Sequence, residues 1–146
     1  MPADRHSDVV PHVADQFAKA FWRMRRGSQK ELAPFGLTFS QARALRVLAR
    51  AGGAMRIGDL AAALEIVPRS ATTTVDVLES AGLARRAPDP FDRRSVLVTP
   101  TDAGLALHER IQQARRDSAE ALFDRLDDAQ LAQLADLLAV LNSDFD

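Results

Sequence analysis

Apolar residues recur with a helical period over most of this chain and change to a strand-like run at one place. Val9, Val13, Phe17, Phe21 and Met24 follow one another at spacings of four and three, which predicts one apolar face of a long helix over residues 8–32. Gly27 and Ser28 are expected to bend or end it. "APFGLT" breaks the pattern, and Ser40 is the expected N-cap of a second helix that reaches Ala51 and stops at Gly52-Gly53. After a short extended piece around Met55 to Ile57, "GDLAAALE" predicts a compact third helix with Leu60 and Leu64 on one side. Pro68 then opens a fourth, as proline does at a first helical position, running to about Ser80 with Gly82 as its C′ residue. Two short helices joined by a tight turn have the form of a helix-turn-helix.

Two short strands follow, roughly 83–87 and 95–99, joined by a loop carrying Pro88 and Pro90. From Thr101 the pattern is helical again, to about Arg125. Asp127 is placed to cap a last helix, in which Leu131, Leu134, Leu138 and Leu141 repeat every three or four residues.

The 146-residue length suits about one domain, and 47 % apolar with 27 % charged residues excludes general disorder. No apolar run approaches the roughly 18 residues needed to span a bilayer, and no leader-like N-terminus is evident. Zero cysteines exclude disulfides, thiolate catalysis and cysteine-ligated metals, which fits a cytoplasmic protein. His6, His12 and His108 lack metal-ligand spacing, so neither a metal nor a cofactor is expected. The net charge of −1 conceals an asymmetry: residues 1–101 carry 15 Lys+Arg against 10 Asp+Glu, and residues 102–146 carry 4 against 10. A polyanionic partner would therefore meet the first part.

The segment "PRSATTTVDVLES" (68–80) puts Ala71, Val75 and Leu78 on one face, to pack inward. Three consecutive threonines each cost a few tenths of a kcal/mol relative to alanine in a helix, so something other than helix stability favours them. Arg69, Ser70, Thr72 and Thr73 make a flat polar face that suits a DNA major groove, with hydroxyls for phosphates or base edges and methyls for thymine. A merely solvated face is the other reading of such a cluster, and the helix-turn-helix placement favours DNA. In the following loop, Arg93 and Arg94 suit a narrow, electronegative minor groove. Asp92, two residues before Arg94, is placed to pair with an arginine and orient its fork.

"RSATTTVDVLESAGLARRAPDPFDRRSVLVTPTDAG" resembles the recognition helix and wing of the MarR (multiple antibiotic resistance regulator) family of winged helix-turn-helix regulators. "GLTFSQARALRVLARAGG" and "IGDLAAALEI" resemble that family's second and third helices, so the likeness covers nearly the whole chain. Asp92, Arg94, Thr101 and Gly104 fall on the family's D-x-R, apolar run and T-x-x-G spacing. The resemblance implies a mainly α fold with a small β-hairpin wing. Residues 36–101 would form the winged helix-turn-helix, with 8–33 and 102–146 as dimerisation helices. It implies a homodimer on a palindromic operator in double-stranded DNA, acting as a repressor, with Arg94 at the wing tip. Phe17, Phe21 and Trp22 would line a cleft for a small aromatic effector, although aromatics at helical spacing are more often just core. Two departures stand out. Pro100 replaces an apolar strand residue, so the second wing strand is expected to end early, and Val67 replaces a capping serine or threonine.

No nucleophile–base pair, paired catalytic carboxylates or phosphate-cradling glycine loop is present, which argues against an enzyme. A winged-helix interaction module without specific DNA binding is the remaining alternative.

Overall fold

The computed structural model describes residues 5–143, the side chains of residues 5 and 6 excepted. In chain order it contains α1 (Arg5–Leu32), a 3-10 turn (Ala33–Phe35), α2 (Phe39–Arg50), β1 (Met55–Arg56), α3 (Ile57–Leu64) and α4 (Pro68–Ser80). The wing strands β2 (Ala84–Pro88) and β3 (Val96–Pro100) follow, then α5 (Asp102–Phe123) and α6 (Asp128–Asn142). The chain is thus mainly α with a small antiparallel sheet. The strands lie in the order β1-β3-β2, so the short extended piece near Met55 is a third strand added to the wing hairpin.

The chain divides into two compact units, one of Ser28–Ala114 and one of Met1–Gly27 with Arg115–Asp146. In the first, Leu45 and Leu48 of α2, Leu60 and Leu64 of α3, and Val75 and Leu78 of α4 are buried together with Leu83, Val98 and Leu107. The faces expected for α3 and α4 are the faces that pack. In the second unit the described side chains of α1 and α6 include no buried residue. Val9, Val13, Phe17, Trp22, Leu131, Leu137, Val140 and Leu141 are all exposed there.

Several boundaries differ from the sequence expectation. α1 ends at Leu32, as expected, and passes through Gly27-Ser28 without stopping: Ser28 and Leu32 are both buried, and packing of that last turn overrides the weak helix propensity of the pair. Thr38, not Ser40, caps α2: its hydroxyl accepts from Gln41 N at 3.3 Å while Gln41 Oε1 accepts from Thr38 N at 2.9 Å, a reciprocal box in T-x-x-Q. The tight turn of the helix-turn-helix begins at Glu65, left-handed at φ 56°. As expected, Val67 gives α4 no side-chain cap, Gly82 takes a left-handed φ of 72°, and Asp127 caps α6 in a box with Gln130.

The second wing strand does not end early. It reaches Pro100, opposite Ala84. The backbone explains the tolerance. Thr101 N donates to Leu83 O at 3.0 Å, so alternation along the ladder turns the Pro100 nitrogen away from β2. β1 is only two residues long and pairs with Val98 and Leu97, so it does not reach that nitrogen. No ladder donor is lost.

The T-x-x-G at the start of α5 is a packing device. Thr101 Oγ1 donates to Gly82 O at 2.6 Å and accepts from Gly104 N at 3.1 Å, which ties α5 to the end of α4. Gly104 is buried against the carbonyl of Leu83, where a Cβ would overlap the carbonyl oxygen and also press Leu45 Cδ1. Gly104→Ala should therefore lower the denaturant midpoint by a destabilisation of about 1–3 kcal/mol, since the obstacle is backbone rather than a flexible side chain. An unchanged midpoint in urea unfolding would contradict the close approach.

Candidate nucleic-acid interface

α4 presents two faces. Ala71, Val75 and Leu78 are buried, while Arg69, Ser70, Thr72 and Thr73 are exposed. The threonines satisfy themselves in the free chain: Thr72 Oγ1 donates to Pro68 O at 3.1 Å and Thr73 Oγ1 donates to Arg69 O at 3.2 Å. This i→i−4 bonding uses the hydroxyl protons and leaves the oxygen lone pairs free to accept. Without a side-chain cap, the first turn of α4 closes on backbone: Ser70 N and Ala71 N both donate to Val67 O, at 2.9 and 3.2 Å.

The wing is fixed to α4 by Arg86, which the sequence reading did not single out. Its guanidinium donates from Nη1 to Glu79 Oε1 at 2.9 Å and from Nη2 to Asp76 and to Thr72 O. Its backbone N donates to Glu79 Oε2 at 2.9 Å. Partial burial pulls the Arg86 pKa down, but hydrogen bonds and charge from Asp76 and Glu79 outweigh it and raise the value, so this cation is permanent. Its single positive charge offsets one of the two negative charges that Asp76 and Glu79 place on α4. The signal was legible in principle: strand alternation puts Arg86, two residues after the buried Ala84, on the side of the sheet facing an acidic i,i+3 pair on α4.

The wing loop is built on two aspartates with different tasks. Asp89 is 5 % exposed. Its Oδ2 accepts from Arg56 Nε at 2.9 Å and forms an ion pair with Arg56 Nη2, also at 2.9 Å, and its Oδ1 accepts from Phe91 N at 2.9 Å. Asp92 Oδ1 accepts from Arg94 N at 3.0 Å, and Asp92 O from Ser95 N at 3.0 Å. The expected pairing of Asp92 with an arginine side chain is thus corrected: its carboxylate binds a backbone amide two residues on, an Asx turn. It leaves the side chains of Arg93 and Arg94 exposed, and no ion pair is formed by either among the described residues. The aspartate that does hold a guanidinium is Asp89, and sequence spacing gave no sign of it because Arg56 lies 33 residues away.

A family model described as "MarR family" matches residues 35–95. An HTH-type transcriptional regulator of Mycobacterium tuberculosis is 34% identical over 119 residues, 82% of this chain and 80% of that protein. The chain belongs to the MarR family. It is a transcriptional regulator of that family rather than an enzyme. The YusO protein of Bacillus subtilis has a similar structure, with a TM-score of 0.82 at 25% identity and 99% of both chains covered. A mutant MarR of E. coli complexed with operator DNA has a TM-score of 0.66 at 26% identity, covering 95% of this chain and 99% of that one.

Within this MarR-family chain, the α4 residues and the wing residues belong to one compact unit. Phe17, Phe21 and Trp22 belong to the other, on α1, and all three are exposed. Phe21 and Trp22 meet edge-on with ring centroids 6.0 Å apart, and the Arg25 guanidinium lies 5.0 Å from the Phe21 ring. A 390 Å³ hollow beside α4, lined by Phe35, Thr73, Asp76, Val77, Ser80 and Ala81, includes none of the three. Among the described residues no cluster of His, Asp and Glu could hold a metal, the His6 side chain lying outside them. No described helix is long and apolar enough to cross a membrane.

The pKa of Asp89 is lowered first by the Phe91 amide, against the opposing effect of burial, and then by Arg56 and by the Asp92 amide. A carboxylate whose folded pKa lies below its ordinary 3.8 contributes stability that is present above that value and is lost as pH falls through the lower folded one. Asp89→Asn should be less stable than wild type at pH 7, and the gap should narrow between about pH 4 and pH 2. Urea unfolding across that range checks this; a gap independent of pH would mean the carboxylate charge is not what holds the loop.

Proposed function

We propose that this MarR-family regulator is a homodimeric repressor that binds a palindromic operator in double-stranded DNA and is released by a small aromatic ligand. The observation that carries the DNA reading is the pairing of an exposed Arg69, Ser70, Thr72 and Thr73 face with unpaired Arg93 and Arg94 on a loop locked by Asp89 and Asp92. α4 enters the major groove by its N-terminal half, where those four residues lie. Arg94 enters the adjacent minor groove, with Asp92 holding the backbone that aims it and Arg93 meeting phosphate. Residues 36–101 form the DNA-binding part. The operator complex of the similar E. coli protein supports this reading.

The exposed apolar residues of α1 and α6 support a dimer, with residues 8–33 and 102–146 supplying its helices. Leu131, Leu137, Val140 and Leu141 are more apolar surface than a monomer usually leaves in one helix. Repression is supported by an HTH-type transcriptional repressor of Mycobacterium tuberculosis, 30% identical over 113 residues, 77% of this chain and 81% of that protein. Phe17, Phe21 and Trp22 are the ligand-contacting residues in this reading, and the protein works in the cytoplasm, where its operator is.

Arg94→Ala should weaken operator and non-operator binding similarly and lower the slope of log K against log salt by about 1. Wild-type affinity and slope in the variant would remove the wing from the interface. Footprinting should reveal an imperfect inverted repeat with half-site centres roughly 34–36 Å apart, and sedimentation should give a dimer. A full-length monomer, or one protected half-site, would overturn the two-fold reading; failure to retain any duplex would favour an interaction module.

A further inference from the structure

Phe91 is the most exposed large apolar side chain among those described, at 93 %. It stands in the wing loop, flanked by Pro90 and followed directly by Asp92, Arg93 and Arg94. The ring is bare, but its backbone is not loose. The Phe91 amide is bound at 2.9 Å by the buried Asp89, which Arg56 holds from β1. Asp89 N donates to Ser95 O at 3.2 Å and Ser95 N to Asp92 O at 3.0 Å, so the loop is laced on both sides of the ring. Such lacing holds an aromatic ring out in water, which is unfavourable for the free protein and has no role in its core.

The charge around the ring identifies its occupant. Two unpaired guanidiniums within three residues suit a polyanion and would oppose docking on a basic surface, including a second copy of the same loop. An apolar side chain presented just ahead of two phosphate-seeking arginines matches the wedge by which minor-groove proteins part a base step. We infer that Phe91 is a DNA-contacting wedge that enters the minor groove beside Arg94 and partly unstacks a flexible pyrimidine–purine step. This rests on the reading of the wing as a minor-groove element. It gives the wing a second kind of contact, one that carries no charge and favours easily deformed steps such as TA or CA.

The two contacts separate by salt. The test uses the full-length protein and a duplex that it recovers from a random-sequence pool, with 2-aminopurine placed in turn at each step under the wing. Phe91→Ala should weaken binding about tenfold at every salt concentration, because burying a phenyl ring contributes on that scale, and should leave the log–log salt slope unchanged. Phe91→Leu should retain most of the affinity, and the 2-aminopurine fluorescence gained with wild type should be lost with Phe91→Ala. Because the ring touches almost nothing in the protein, urea unfolding of both variants should match wild type. Wild-type affinity in Phe91→Ala, no fluorescence gain at any step, or a changed sedimentation coefficient with unchanged DNA affinity would each overturn the wedge. If at the same time Arg94→Ala still lowers the salt slope, the minor-groove reading of the wing survives; if it does not, both fall.

Discussion

The Arg86 guanidinium is the fixed point on which the arrangement of α4 and the wing depends. One side chain from the first wing strand reaches a backbone carbonyl and two carboxylates on α4, so helix and wing cannot turn independently. The proposed function needs that rigidity, because groove spacing is set by the nucleic acid and two elements that read it must match it in advance. The pair Arg56 and Asp89 repeats the device at the other end of the hairpin, joining β1 to the loop. Between them the two clamps convert a short hairpin, which alone would be marginal in water, into a defined projection.

Much of the fold was legible in the sequence, because it rests on patterns a few residues long. The inward triplet Ala71, Val75 and Leu78, the proline that opens α4, the Gly82 stop and the Asp127 cap are all local, and each appears where expected. The misplaced boundaries have a common cause. Gly27 and Ser28 read as a bend or an end by local propensity, and the burial of Ser28 and Leu32 carries the helix past them to Leu32, where the apolar period places its end. Pro100 read as the end of a strand because which way its nitrogen points is decided by the register with Leu83, which no single stretch encodes.

The candidate site divides in the same way. The exposed residues of α4 and the wing arginines were visible as a polar face and a charged loop. Their supports were not: Asp89 holds Arg56 across 33 residues and Arg86 reaches Asp76 across 10. The D-R-R string drew attention to Asp92 as the partner of a guanidinium, whereas the three-dimensional arrangement gives that task to the aspartate three residues earlier. Sequence exposes what a surface offers; the contacts that hold it still come from the fold.

The same lacing has a consequence for solubility. In the wing ladder the amides that point outward from β2 belong to Ala84, Arg86 and Pro88, by alternation from the bond between Thr101 and Leu83. Arg86 gives its amide to Glu79, and Pro88 has none to give. β3 is shielded on one side by β2 and in part on the other by Met55 and Arg56. The hairpin therefore offers a foreign strand few free donors to pair with, a feature that opposes edge-to-edge association.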